Sequence, residues 1–238
     1  MSISNKVAYI TGGSKGIGLG IAEALAAQEV KVSITGRNKS TVEASANAIN
    51  EKYPDSCMGI VADVRNPDEQ VNAIQNTIAK WGKVDISIAN AGVGHFDSIE
   101  NLSIQQWNEV IDINLTGTFH TIKASIEALK ETQGYFISIA SLAGTNFFAN
   151  GSAYNASKYG VVGFTQAVML DLRKHGIKVT TIMPGSVATY FNNHTPNDQD
   201  SWKIQPEDLG QMVVDLLKMH PRTLPSKIEV RPSIPPKK

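Results

Sequence analysis

The chain has 238 residues, 42% of them hydrophobic and 18% charged, with 22 Lys+Arg balanced by 22 Asp+Glu. That length suits one large α/β domain or two small ones, and the composition excludes a disordered chain. A formal charge of zero leaves no basic excess to attract a phosphate polymer or anionic lipid, so nucleic acid is not an expected partner.

The single cysteine, Cys57, excludes an internal disulfide and a cysteine-cluster metal site, and no metal is expected. The early apolar run VAYIT is too short for a signal peptide. No apolar stretch reaches 18 residues, so no membrane partner is expected. The expectation is a soluble cytoplasmic protein.

Residues 6–11 (KVAYIT) read as a first strand. A helix over 18–28 follows, with Ile21, Leu25 and the Ala22/Ala26 pair three or four positions apart. Strands at 30–35, 57–62 and 85–89 then alternate with helices at 39–52 and 68–81, the latter opened by Pro67. One long helix from about 105 to 131 leads to a fifth strand at 135–140, a helix at 153–175 and a sixth strand at 177–183. The polar stretch 190–203 (YFNNHTPNDQDSWK) reads as a mobile loop. Pro206 opens a last helix, a strand at 227–231 is closed by Pro232, and PSIPPKK reads as an extended tail. Several strands are apolar without clean alternation, as strands covered on both faces are. The pattern predicts one domain over residues 1–238, a Rossmann-like, doubly wound parallel sheet of about seven strands with helices on both faces.

Thr11, Gly12, Gly13, Ser14, Lys15, Gly16, Ile17 and Gly18 lie between the first strand and first helix. Glycines there let the backbone approach a pyrophosphate, and free N–H groups at the helix start face the anion. A bare tight turn is the alternative. At the end of the second strand stand Gly36 and Arg37, with no carboxylate to accept from a ribose 2′-hydroxyl. Arg37 suits a 2′-phosphate, and Lys15 is placed to supply a second cation, which selects NADP(H) over NAD unless both are plain surface cations. Asp63-Val64 and Asn90-Ala91-Gly92 follow the third and fourth strands, at the rim where open α/β sheets bind ligands. A helix cap or an ordinary turn is the alternative for each.

Tyr154 and Lys158, four apart on a helix, share one face. An ammonium near a phenol stabilises the phenolate and lowers its pKa from about 10 by roughly 1–3 units, toward proton transfer at neutral pH. Ser141, thirteen residues before the tyrosine, ends the fifth strand, where its hydroxyl is placed to hold the same substrate oxygen.

TGGSKGIG, Asn90-Ala91-Gly92, Asn114, Ser141, the Tyr154–Lys158 pentapeptide YNASK and Pro184-Gly185 together resemble the short-chain dehydrogenase/reductase family. The resemblance spans essentially the whole chain, and within the family it is nearest the NADP-dependent 3-oxoacyl reductase and carbonyl reductase branches. It implies that Tyr154 gives the proton to a carbonyl oxygen as hydride leaves the nicotinamide, and that Ser141 orients the carbonyl. Lys158 then lowers the tyrosine pKa and holds the nicotinamide ribose, and Asn114 holds a water linking Lys158 to solvent. Pro184, Gly185, Val187 and Thr189 line the nicotinamide side; Asp63 and Val64 border the adenine, and Asn90, Ala91 and Gly92 the adenosine ribose. His95, Phe96, Phe147, Phe148, Tyr190 and Phe191 are candidates for the substrate side, with core or subunit interface as the alternative for the aromatics. Two departures stand out: Ala89 precedes Asn90 where relatives often have a second asparagine, and IEVRPSIPPKK lacks a glycine-rich ending. The expected substrate is a small carbonyl compound and the expected assembly a homo-oligomer, tetramer or dimer. Alcohol oxidation and a non-catalytic NADP-sensing role are the alternatives.

Overall fold

The computed structural model describes residues 2–234. Seven strands alternate with seven α-helices: β1 Val7–Ile10, α1 Gly16–Ala26, β2 Lys31–Gly36, α2 Lys39–Lys52, β3 Cys57–Val61, α3 Pro67–Trp81 and β4 Ile86–Ala89 come first. They are followed by α4 Ile104–Ile111, α5 Gly117–Thr132, β5 Tyr135–Ile139, α6 Ser152–Leu172, β6 Lys178–Pro184, α7 Pro206–Lys218 and β7 Lys227–Val230. The sheet order is β3-β2-β1-β4-β5-β6-β7, and every pairing is parallel. The order reverses between β1 and β4, and in open sheets of this kind the crevice at such a reversal is the binding place.

Alternation along β1 feeds both layers. Ala8 and Ile10 join a core with Ile21, Leu25, Val42 and Val213 from α1, α2 and α7. Tyr9, on the opposite face, joins Ile74, Ile122, Leu129 and Phe136 under α3 and α5. That second layer carries a polar seam that hydrophobic patterning does not reveal. Tyr9 stands opposite Ser33 and Ser87 in register. The hydroxyls of Thr77 and Ser125 reach those serines at 2.8 and 3.0 Å, and the Tyr9 hydroxyl donates to Gln70 at 2.8 Å. The hydroxyls of this seam are thereby satisfied.

Helix ends follow local chemistry. Asn38 caps α2, Asn66 caps α3 ahead of Pro67, and Ser103 with Gln106 forms a capping box on α4. Gly82 closes α3 in the left-handed conformation.

Two expectations change. The long helix over 105–131 is interrupted by a π-helical turn, Asp112–Thr116, between α4 and α5. A π-turn inserts one residue into the ladder and re-aims what it carries, here Asn114. Segment 190–203 is not featureless: it holds two 3₁₀ turns, Phe191–Asn193 and Asp198–Asp200, and Val187 bridges to Ile204 just beyond it. The tail expected over PSIPPKK falls partly on residues 235–238, which lie outside the described residues.

Candidate active site

A cleft of about 1250 Å³ runs along the strand tips. Its lining takes in every sequence-proposed residue except Asn114 and Gly18, which stand behind it, and Phe96 and Phe147.

At one end the glycine turn is pressed between β1 and β4. Gly12 has φ +62°, and a Cβ there would lie 2.8 Å from Ala91 Cα. A Cβ on Gly18 would lie 2.5 Å from Asn90 Nδ2. That amide is held in place by donating to the Thr11 and Gly12 carbonyls, both at 3.0 Å. Asn90 therefore joins two strand tips with its side-chain amide while still lining the cleft. Ser45 Oγ donates to the Ser14 carbonyl at 2.8 Å, fastening the turn to α2. Unlike α2 and α3, α1 has no side-chain cap on its first turn, so its leading N–H groups remain available to an anion.

The end of β2 closes on this turn, since a Cβ at Gly36 would lie 3.1 Å from Ser14 Oγ. Arg37 and Lys15 are both exposed, and neither forms an ion pair among the described residues. Asp63 is engaged: the Arg65 guanidinium grips its carboxylate at 2.6 Å and holds the acid below its ordinary pKa. Across the turn, Thr189 packs where a Gly16 side chain would stand, 3.3 Å away, so the strand-six loop meets the glycine turn.

At the other end, Ser141 follows β5 and caps a 3₁₀ turn, Leu142–Gly144, by accepting from Ala143 N–H at 3.1 Å. Its hydroxyl also donates to the Pro184 carbonyl at 3.4 Å, and it lies near enough to the Tyr154 phenol to oppose the rise in that group's pKa. Tyr154, Lys158 and Ser157 come from α6, and Asn114 from the π-turn. Asn114 Oδ1 accepts from Val93 N–H at 2.8 Å, while its amide donates to the Val93 carbonyl at 2.9 Å and Ser157 Oγ at 3.0 Å. The π-turn thus aims an amide that clamps the loop after β4.

Lys158 is buried; its ammonium donates to the Ile139 carbonyl at 3.1 Å and lies 5.6 Å from the Tyr154 ring centre. Burial pulls its pKa down to about 8. The tyrosine corrects the expectation of a lowered phenol. Loss of contact with water raises the Tyr154 pKa, and the opposing influence is the nearby Ser141 hydroxyl rather than the ammonium. The physical reason is desolvation: the helix-turn spacing brings the pair together, while the surrounding chain buries the lysine and half-buries the tyrosine.

The substrate-side candidates divide. Phe96 stacks edge-on against the Tyr154 ring at 5.3 Å, and Phe191 approaches it at 5.6 Å. Phe148, Tyr190, Phe191 and His95 line the cleft. His95 pairs with Glu109 at 2.8 Å. Phe147 is 87% exposed and outside the lining, which corrects its place among the candidates. Sequence reasoning missed His194, Trp202, Lys203 and Arg231, which also line the cleft. Lys203 and His194 both hold the buried Asp200, at 2.6 and 2.5 Å. Arg231 carried one signal, its position as the last residue of the strand expected over 227–231, ahead of Pro232.

Among the described residues, no group of three His, Cys, Asp or Glu side chains is placed to hold a metal, and no helix is long and apolar enough to cross a membrane.

The sequence profile of the family described as short chain dehydrogenase matches residues 6–200. An uncharacterized oxidoreductase of Staphylococcus saprophyticus is 32% identical over 237 residues, covering 98% of this chain and 99% of its own. The alcohol dehydrogenase of Thermococcus sibiricus, complexed with 5-hydroxy-NADP, superposes with a TM-score of 0.91 at 26% identity over 98% of this chain and 99% of that one. The 3-ketoacyl-(acyl-carrier-protein) reductase of Brucella melitensis, complexed with NADH, superposes with a TM-score of 0.89 at 26% identity, with the same coverages. With the profile and the full-length relatives agreeing with the cleft geometry, the chain belongs to the short-chain dehydrogenase family.

Proposed function

We propose that this chain is an NADPH-dependent oxidoreductase that reduces a ketone or 3-oxoacyl carbonyl to an alcohol, with Tyr154 as the proton donor. The observation that carries the proposal is the half-buried Tyr154, which lines the cleft at the strand tips beside Ser141 and one helical turn before the buried Lys158.

The residues present fit a nicotinamide dinucleotide. Gly12 and Gly18 let the turn close against Ala91 and Asn90, and the uncapped start of α1 meets the cleft through Gly16 and Ile17. Ser14, Lys15 and Ile17 would complete the pyrophosphate turn; Asp63, Val64, Ala91 and Gly92 would border the adenosine, and Pro184, Gly185, Val187 and Thr189 the nicotinamide. Lys15 and Arg37, exposed cations that form no ion pair among the described residues, favour a 2′-phosphate and hence NADPH. The NADP and NADH complexes of similar structures are compatible with either form.

The bound dinucleotide supplies a hydride. Tyr154 gives its phenolic proton to the carbonyl oxygen, so that carbon gains the hydride and oxygen the proton, and the alcohol results. Burial keeps the phenol protonated before the reaction, which suits reduction. The Ser141 hydroxyl donates to the same oxygen and polarises the carbonyl. The Lys158 ammonium steadies the phenolate that remains, and Asn114 acts as a positioning residue by fixing the loop after β4. Alcohol oxidation is a second reading, supported by the Thermococcus alcohol dehydrogenase among the similar structures.

The loop over 190–203 would cover the substrate. Exposed apolar side chains on α5 and α6, Phe119, Tyr159 and Leu170, fit a homo-oligomer contact that sedimentation would measure.

The test is NADPH oxidation against a panel of ketones and β-ketoacyl thioesters. The native chain should turn over at least one, and Tyr154→Phe should lose about 10²–10⁴-fold in kcat while still binding NADPH. Tight NADPH binding without turnover of any carbonyl would instead favour a cofactor sensor.

A further inference from the structure

The cleft lining is unevenly charged although the chain is neutral overall. Its only carboxylates among the described residues are Asp63 and Glu109, and both are already paired, with Arg65 and His95. Both belong to the β3–β4 side. Lys203 is likewise committed to Asp200. Arg231 is different.

Its place follows from the sheet. Pro184 pairs with Val230, and Gly185 N–H donates to the Val230 carbonyl at 2.8 Å. A Cβ on Gly185 would touch Leu142 Cδ1 at 3.1 Å and Pro232 Cδ at 3.3 Å. Ser141 Oγ lies 3.4 Å from the Pro184 carbonyl. Arg231 therefore stands one residue beyond the strand pair that backs Ser141, at the end of the cleft away from Lys15 and Arg37. Its one described partner is Glu229, on Nη2 at 3.1 Å, in a pair whose side chains are 57% and 41% exposed. Exposed pairs of this kind hold weakly. A carboxylate that meets two guanidinium N–H groups in parallel competes well with it. The aromatic group around Tyr154 supplies an apolar wall in the same end of the cleft.

We propose that Arg231 is a specificity residue and that the substrate is an oxo acid, an apolar stem carrying a carbonyl at Tyr154 and a carboxylate at Arg231. This rests on the reductase reading and adds the class of substrate.

The experiment measures kcat/KM for a series of methyl-ketone carboxylates of increasing chain length and for their methyl esters. At least one acid should exceed its ester tenfold, and the preference should fall as salt is raised. Arg231→Gln should lower that acid-over-ester ratio at least tenfold, and Arg231→Lys should keep part of it. Arg173→Gln removes the same charge in the turn before β6, at the opposite end of the strands, and should leave the ratio alone. If esters or other ketones are reduced while acids hold no advantage, the oxo-acid inference is overturned and the reductase reading stands. If no carbonyl is reduced, the reductase reading fails, and binding decides the site by itself. Trp202 lines the cleft, so its fluorescence in the NADP-loaded chain reports hexanoate against methyl hexanoate. Tighter binding of hexanoate that Arg231→Gln abolishes sustains the anion site; equal binding overturns it.

Discussion

Replacing Lys158 by methionine should stabilise the folded chain while abolishing its activity. The ammonium is buried, and burial alone lowers its pKa from 10.5 to about 8. That difference of about 2.5 units corresponds to roughly 3 kcal/mol of cost for keeping the charge inside. Against it stands the hydrogen bond to the Ile139 carbonyl, whose loss costs about 1–2 kcal/mol. The net gain is about 1–2 kcal/mol, or roughly 2–8 °C in Tm for a chain of this length. The pH dependence has a definite sign. Between pH 8 and 10.5 the unfolded chain binds the proton that the folded chain has released, so native stability rises with pH across that window. The penalty is complete below pH 8, and the methionine variant's advantage is therefore full at pH 7 and shrinks by pH 9.5. Thermal unfolding of both proteins without nucleotide, at those two pH values, measures it. A variant that melts below the native chain at pH 7, or a gap that ignores pH, refutes the reasoning.

Arg37→Asp should raise KM for NADPH at least tenfold and improve use of NADH, because the guanidinium beside the glycine turn is replaced by an acceptor for a 2′-hydroxyl; an unchanged preference would place the 2′-phosphate elsewhere. Gly18→Ala should cost about 1–3 kcal/mol in urea unfolding and weaken nucleotide binding, since its Cβ meets an Asn90 amide held by two carbonyls. Asp200→Asn should speed proteolytic nicking within 190–203, because Lys203 and then His194 hold this carboxylate below its ordinary pKa. That stabilisation is present above the unfolded carboxyl pKa, about 3.9, and is lost as pH falls through the lower folded value, so the native chain should approach the variant's nicking rate only in strong acid. An identical nicking rate at pH 7 would show that Asp200 does not fasten the loop.

The fold was legible because its signals are local. β-Branched runs, amphipathic helices and Asn or Pro at helix starts lie within a few residues of what they determine, and β-α alternation admits few topologies. The glycine turn, Ser141 and the Tyr154–Lys158 pair were legible for the same reason. Other features depend on distant segments. The π-turn sets Asn114 against Val93, 21 positions away, whose N–H and carbonyl both bond its one amide. Periodicity alone continues that helix unbroken. Arg231 reaches the cleft only because β7 pairs with β6, and nothing near it in the chain announces that neighbour.

By itself, then, the amino-acid order determined which segments become strands and helices, their parallel winding, and that the glycine turn, Ser141 and the Tyr154–Lys158 pair share the strand tips. Tertiary structure decided their electrostatics. A four-residue spacing sets the Tyr154–Lys158 distance, but the layers of chain around the pair remove the water, and desolvation acts on a phenol and an ammonium in opposite directions. The tyrosine therefore keeps its proton and the lysine holds its own less tightly, a balance that only the packed interior imposes.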